Sequence, residues 1–125
     1  MKFFTIEEAN GLIPLVRPTL EKISSLYEQV GAERDEASAA AASADRGGGG
    51  MLGGSQYVRH LYEIGKLTTE INELGIQLKD CTRGLIDFPS MRGERVILLC
   101  WQLGEPDRIE WWHDLNAGFA GRQPL

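Results

Sequence analysis

The residue types able to do chemistry gather toward the C-terminal part of the chain. His113 and Asp114 follow a tryptophan pair, Trp111-Trp112, and Arg122 stands near the end between Gly121 and Gln123. Asp87 and Glu105 precede them. An Asp–His pair can bind a divalent metal or move a proton as acid and base. Asp87 and His113 could do either if their strands place them on one sheet face. The plainer alternative is a structural one, with His113 hydrogen-bonded to Asp87 or to a backbone carbonyl at the rim of the core. Arg122 has five donors and no acceptor, so it could clamp a carboxylate or phosphate. Its plainer alternative is an ion pair with Asp114 or Glu110 that pins an otherwise frayed tail. The candidate metal or polar-ligand site is therefore Asp87, Glu105, His113, Asp114 and Arg122.

Other metal-capable residues are scattered: Asp80, Cys81 and Cys100. There is no CxxC and no helical histidine pair, which argues against structural zinc. Cys100 lies inside an apolar run and reads as a small buried hydrophobe rather than a nucleophile. His60 reads as a solvated residue on a helix face. Gly48-Gly-Gly-Met-Leu-Gly53 matches GxGxxG in letters only. The fingerprint works between a strand and a helix, and here an Ala/Ser-rich, helix-prone run precedes it. No cofactor is indicated, and a divalent metal stays open.

The chain has 125 residues and a net charge of −5. That length suits one domain with a real core. The negative charge, with no basic stripe, argues against nucleic acid. No run approaches a membrane span, and a polar helix face poor in Lys/Arg argues against a membrane surface. Two cysteines are too few for a disulfide scaffold. The apolar start, Met1-Lys-Phe-Phe4, is too short for a signal peptide. The expected location is the cytoplasm.

These candidates need elements to position them. Thr5-Ile-Glu-Glu8 is a capping box. A short helix is expected from there to about Gly11, then a bend at Pro14 and Pro18, then a long helix over about 14–34. Its stripe is Leu12, Val16, Leu20, Ile23, Leu26 or Tyr27, and Val30. A second helix is expected over about 55–74, with stripe Val58, Leu61, Ile64, Leu67 or Thr68, Ile71 and Leu74, stopped by Gly75. The two would pair as an antiparallel hairpin of coiled-coil type over residues 5–75. Its flexible tip would span about 37–54.

After Gly75 the period changes. Strands are expected at 76–80, at 85–88 closed by Pro89, at 96–101 buried on both faces, and at 109–113. Turn centres near 93 and 105 put Asp87 opposite Leu99, and Leu99 opposite Trp111. Trp101 and His113 then share the face of Asp87. Ile86, Phe88, Leu98, Cys100 and Trp112 take the other. Both faces are apolar. The helices can cover one, so the other needs the C-terminal tail or a second subunit.

Several motifs recur together in one family. Phe4-Thr-Ile-Glu-Glu-Ala-Asn10 with Leu12-Ile-Pro14 resembles the N-terminal signature of domain of unknown function 2203. The similarity continues through Leu78-Lys-Asp80, Gly84-Leu-Ile-Asp-Phe-Pro89, Leu99-Cys-Trp101, Gly104-Glu105, Trp112-His113 and Gly118-Phe-Ala-Gly-Arg-Gln-Pro124. The resemblance implies a bacterial source and one domain over the whole chain, and it implies no particular activity.

The expected fold is α+β: a long antiparallel helical hairpin packed on a small antiparallel sheet of three or four strands, the sheet and packed tail occupying 76–125. The leading functional expectation is a non-enzymatic protein-interaction or self-association module, a homodimer. The alternative is a metal-dependent or acid/base enzyme with its site near the C-terminal end of the sheet.

Overall fold

The computed structural model describes residues 1–44 and 54–125. Helix α1 runs over Ile6–Ala44 and helix α2 over Gly54–Glu73. Strands follow at Gln77–Asp80 (β1), Leu85–Arg92 (β2), Arg95–Trp101 (β3), Trp111–Asp114 (β4) and Gln123–Pro124 (β5). The sheet has five strands in the order β1-β2-β3-β4-β5, every neighbour antiparallel. The fold is α+β, with one strand more than the sequence indicated.

The capping box forms as read: Thr5 N–H donates to Glu8 Oε1 at 2.9 Å, and Glu8 N–H to Thr5 Oγ1 at 3.1 Å. The expected bend does not form. Pro14 and Pro18 lie inside α1, which is a single helix of 39 residues. The two prolines stand four apart on the exposed side of the helix, where water can reach the carbonyls whose N–H partners they remove. The opposite side buries Ala9, Ile13, Val16, Leu20, Ile23 and Val30 in the core. That stripe runs unbroken through both prolines and holds the helix together. Residues 37–44, expected in a flexible tip, continue α1. Residues 45–53 of that tip lie outside the described residues.

Residues 12–19 of α1 lie beside 70–74 of α2, and Lys22 Nζ is 3.2 Å from Glu63 Oε1, so the helices run antiparallel. They are unequal, 39 against 20 residues, rather than the matched hairpin expected. The inner stripe of α2 is also rotated. Leu67 and Ile71 are buried, while Val58, Leu61 and Leu74 are exposed. His60 is not simply solvated: its Nδ1 lies 2.6 Å from Glu33 Oε1 on α1.

Pro89 does not close β2, which continues to Arg92. The Pro89 carbonyl accepts a 2.7 Å hydrogen bond from Phe4 N–H, on the side away from β3. In a strand, the N–H and C=O of one residue point to the same side. The N–H that proline lacks would therefore face past the end of β1, where no ladder partner is missed. Ser90 Oγ donates to Phe4 O at 2.6 Å and fixes the N-terminal segment to the same edge.

The registers differ from the expected ones by one residue. Arg92 pairs with Arg95, so the β2–β3 turn is the two residues Gly93-Glu94, with Gly93 at φ +64°. A positive φ at the first central position is the type II′ arrangement that matches strand twist. Asp87 then stands opposite Cys100, and Cys100 opposite Trp111. Ile86, Phe88, Ile97, Leu99, Trp101 and Trp112 join the helices in one core cluster. By parity Leu85, Asp87, Pro89, Leu98, Cys100 and His113 belong to the second face. They are buried too: Leu115, Gly118 and Phe119 of the tail lie over this face, and after a short 3-10 turn, Phe119–Gly121, the chain joins the sheet edge as β5.

Gly84, at the β1–β2 turn, adopts φ +58°, and a Cβ there would enter the Leu103 side chain. Gly93 also has positive φ but faces open space. Gly84→Ala should therefore cost about 2–4 kcal/mol, from the left-handed conformation and the clash together, and Gly93→Ala only about 1 kcal/mol. Thermal or denaturant unfolding of the two variants checks this. Equal losses would mean that Leu103 does not constrain the turn.

Candidate functional site

The buried part of the second sheet face is apolar except at its centre. There, β2, β3 and β4 each contribute one polar side chain: Asp87, Cys100 and His113. They are 2%, 1% and 2% exposed. Asp87 and Cys100 are cross-strand partners, and His113 lies two residues along β4 from Trp111, the partner of Cys100. Side chains so placed are neighbours on one face. One carboxylate oxygen of Asp87, the Cys100 Sγ and a ring nitrogen of His113 lie within 4.8 Å of one another.

The imidazole is held at both nitrogens. Nδ1 is 2.8 Å from the Asp114 carbonyl oxygen, and Nε2 is 3.1 Å from Asp87 Oδ1. A carbonyl oxygen can only accept, so Nδ1 carries a hydrogen and donates it. In a neutral ring this leaves Nε2 with a lone pair, facing a carboxylate oxygen that also has only lone pairs to offer. Two lone pairs do not attract. Something positive must sit between them: a proton, shared by the pair, or a metal ion.

Cys100 completes the group. Burial, then the adjacent Asp87 carboxylate, pushes its thiol up to about 12, while Arg122 pulls weakly the other way. Without a cation beside it, the sulfur keeps its proton. A cleft of about 150 Å³ opens over the group. Asp87 and His113 line it, with Leu85, Leu98 and Lys79 from the sheet and Leu115, Gly118 and Phe119 from the tail.

The five residues singled out from the sequence divide into two sets. Asp87 and His113 meet directly, and Asp114 joins them through its backbone carbonyl alone. Its carboxylate points elsewhere, 3.4 Å from Arg95. Glu105 and Arg122 pair with each other at 2.7 Å, away from the Asp87–His113 contact. The acid that pins the tail is thus Glu105, not Asp114 or Glu110; Glu110 pairs with Arg108. Glu105 also accepts from Gln102 N–H at 2.9 Å. Arg122 Nη2 reaches the Cys100 carbonyl at 3.3 Å, and its guanidinium lies 5.2 Å from the Trp111 ring and 4.8 Å from the Phe119 ring.

Cys100 is the member that sequence reasoning left out. Its apolar neighbours Leu98, Leu99 and Trp101 make it look like core, and the expected register put it on the far face from Asp87. The signal that could have found it was the Gly93-Glu94 pair: a two-residue turn sets Asp87 against Cys100.

These contacts rank the tail residues differently from their hydrophobicity. Phe119 is 36% exposed and stacks between Arg83, 4.0 Å from its ring, and Arg122. The Arg122 and Glu105 side chains are only 10% and 16% exposed. Arg122→Ala strands a mostly buried carboxylate and should cost on the order of 3 kcal/mol. Phe119→Ala loses partial burial and two cation–π contacts, about 1–2 kcal/mol. Unfolding midpoints of the two variants test the order, and a larger loss for Phe119→Ala would show that apolar packing, not the ion pair, holds the tail.

The model of the family described as "Uncharacterized conserved protein (DUF2203)" matches residues 2–125. No curated protein and no solved structure matches the chain. With the match running through both helices, the whole sheet and the tail that closes over Asp87, Cys100 and His113, the chain belongs to the DUF2203 family.

Proposed function

We propose that this protein is a metal-dependent enzyme whose centre is Asp87, Cys100 and His113. The observation that carries the reading is the hydrogen bond from His113 Nδ1 to the Asp114 carbonyl. Metal-binding histidines characteristically donate their second nitrogen to such an acceptor, which orients the ring and fixes the tautomer. Here it turns the Nε2 lone pair toward Asp87 and Cys100. The donor set is one nitrogen, one sulfur and one oxygen, which suits zinc or a similar borderline ion. A tetrahedral zinc would draw such donors to about 3.3–3.6 Å from one another. The atoms already lie within 4.8 Å, so side-chain shifts of about 1 Å suffice. Three protein ligands leave a fourth position, and the cleft lined by Asp87 and His113 gives it room. Closed structural sites use four protein ligands; sites with three are of the catalytic kind. A divalent ion there supplies Lewis-acid chemistry to a ligand held in the cleft.

Metal content of the purified full chain tests the reading. One equivalent of zinc should be retained after dialysis. Replacement by cobalt should give a sulfur-to-cobalt charge-transfer band. Cys100→Ser should abolish that band, and both Cys100→Ser and His113→Ala should weaken metal binding beyond the about 10–100-fold typical of losing an outer-shell partner. If wild-type protein takes up neither ion at stoichiometric concentration, the three residues form a proton-sharing structural network instead.

A second reading, self-association as a homodimer, rests on one surface. Val58, Leu61 and Tyr62 lie together on the outer side of α2, 61%, 44% and 73% exposed. An apolar patch on a helix is a common subunit contact. Under this reading the native chain has about twice its 13.9 kDa mass in solution and Tyr62→Glu returns it to a monomer. A native chain that sediments as a monomer at high concentration rules the dimer out.

A further inference from the structure

We infer that the cleft over the metal centre binds a short-chain aliphatic carboxylate, with Lys79 as its charge partner. This inference rests on the metal reading of Asp87, Cys100 and His113. The first step is a count of charge. A divalent ion held by a carboxylate, a thiolate and a neutral imidazole is neutral overall, since thiolate is the form of cysteine that binds metals. Such a centre has no net charge with which to attract an anion. The ligand preference then depends on what else lines the cleft.

Among the described residues one further charged side chain does: Lys79, on β1. A bulge in β1 puts it there. Gln77 pairs with Asp87 and Leu78 with Ile86, but the register shifts before Asp80, which pairs with Leu85, so Lys79 is the extra residue of a bulge that turns it to the cleft. Among the described residues Lys79 has no carboxylate partner within ion-pair distance. The metal-loaded cleft therefore carries one uncompensated positive charge. A monoanion neutralises it. A carboxylate also has two oxygens, one for the open metal position and one for the ammonium.

The remaining walls decide what the carboxylate is attached to. Leu85, Leu98, Leu115 and Phe119 are apolar, and Gly118 adds no side chain. They suit an alkyl group and offer no donors to the extra oxygens of phosphate or sulfate. The volume of about 150 Å³ corresponds to about five waters at roughly 30 Å³ each. That accommodates acetate to butyrate.

The test uses the full chain loaded with cobalt, whose visible bands report its coordination. Acetate, propionate and butyrate should each shift the bands saturably, with affinity rising along the series, and phosphate should not. Lys79→Met keeps the bulk of the stem and removes the charge. It should weaken propionate at least about tenfold while leaving cobalt affinity and the sulfur-to-cobalt band unchanged. Three results would overturn the inference: no response to any carboxylate in protein that shows the sulfur-to-cobalt band, equal propionate affinity in Lys79→Met, or tighter binding of phosphate than of propionate. In each of these the metal reading survives. Absence of the sulfur-to-cobalt band in the wild-type chain would instead overturn both.

Discussion

Residues 97–101 of β3 are buried without interruption, so their side chains need cover on both faces of the sheet. A strand of this kind needs two separate layers over it. The helices supply one, through Ile13, Leu20 and Ile71 against Ile97, Leu99 and Trp101. The other comes from the last residues of the chain. Leu115, Gly118 and Phe119 lie over this face, and after the 3-10 turn the chain joins the sheet edge as β5 beside β4. Cover of this kind is thin, and its stability comes from directional contacts rather than area. Arg122 provides them, bonded at once to Glu105 and the Cys100 carbonyl and flanked by two aromatic rings.

The same face holds three polar side chains where an apolar one at each position would pack without penalty. A buried carboxylate, thiol and imidazole cost free energy unless each is satisfied. Two arrangements satisfy this set. In one, a proton lies between Nε2 and Oδ1 and the thiol keeps its own. In the other, one metal ion replaces both protons. Stability alone favours neither over an apolar core. The proposed metal role accounts for the group by what it would bind rather than by what it holds together.

Much of this was legible in the residues, but unevenly. The capping box, the α1 stripe, the approximate places of both sheet turns and the apolar face needing a second cover were readable, because each depends on local spacing. The continuous helix through Pro14 and Pro18 was not. Two prolines four apart signal a break, and only the tertiary burial of Ile13, Val16 and Leu20 outweighs it. Pro89 misled in the same manner, since a missing N–H matters only where a neighbouring strand would use it. The β5 strand and the Glu105–Arg122 pair depend on how the tail returns, and no spacing encodes that.

The register shows most sharply what sequence reasoning can reach. Turn centres of 93 and 105 were each wrong by half a residue, and every such error moves a strand's side chains to the opposite face. Two errors in succession cancel. Asp87 on β2 and His113 on β4 therefore share a face under either register, and their meeting is insensitive to the mistake. Cys100 on β3 lies between the two errors and takes only the first, so it changed faces. The grouping of Asp87, Cys100 and His113 thus depends on the length of a single hairpin. With Gly93 and Glu94 as the only turn residues, Asp87 faces Cys100; one residue more in that turn would put Leu99 there, and the centre would lose its sulfur.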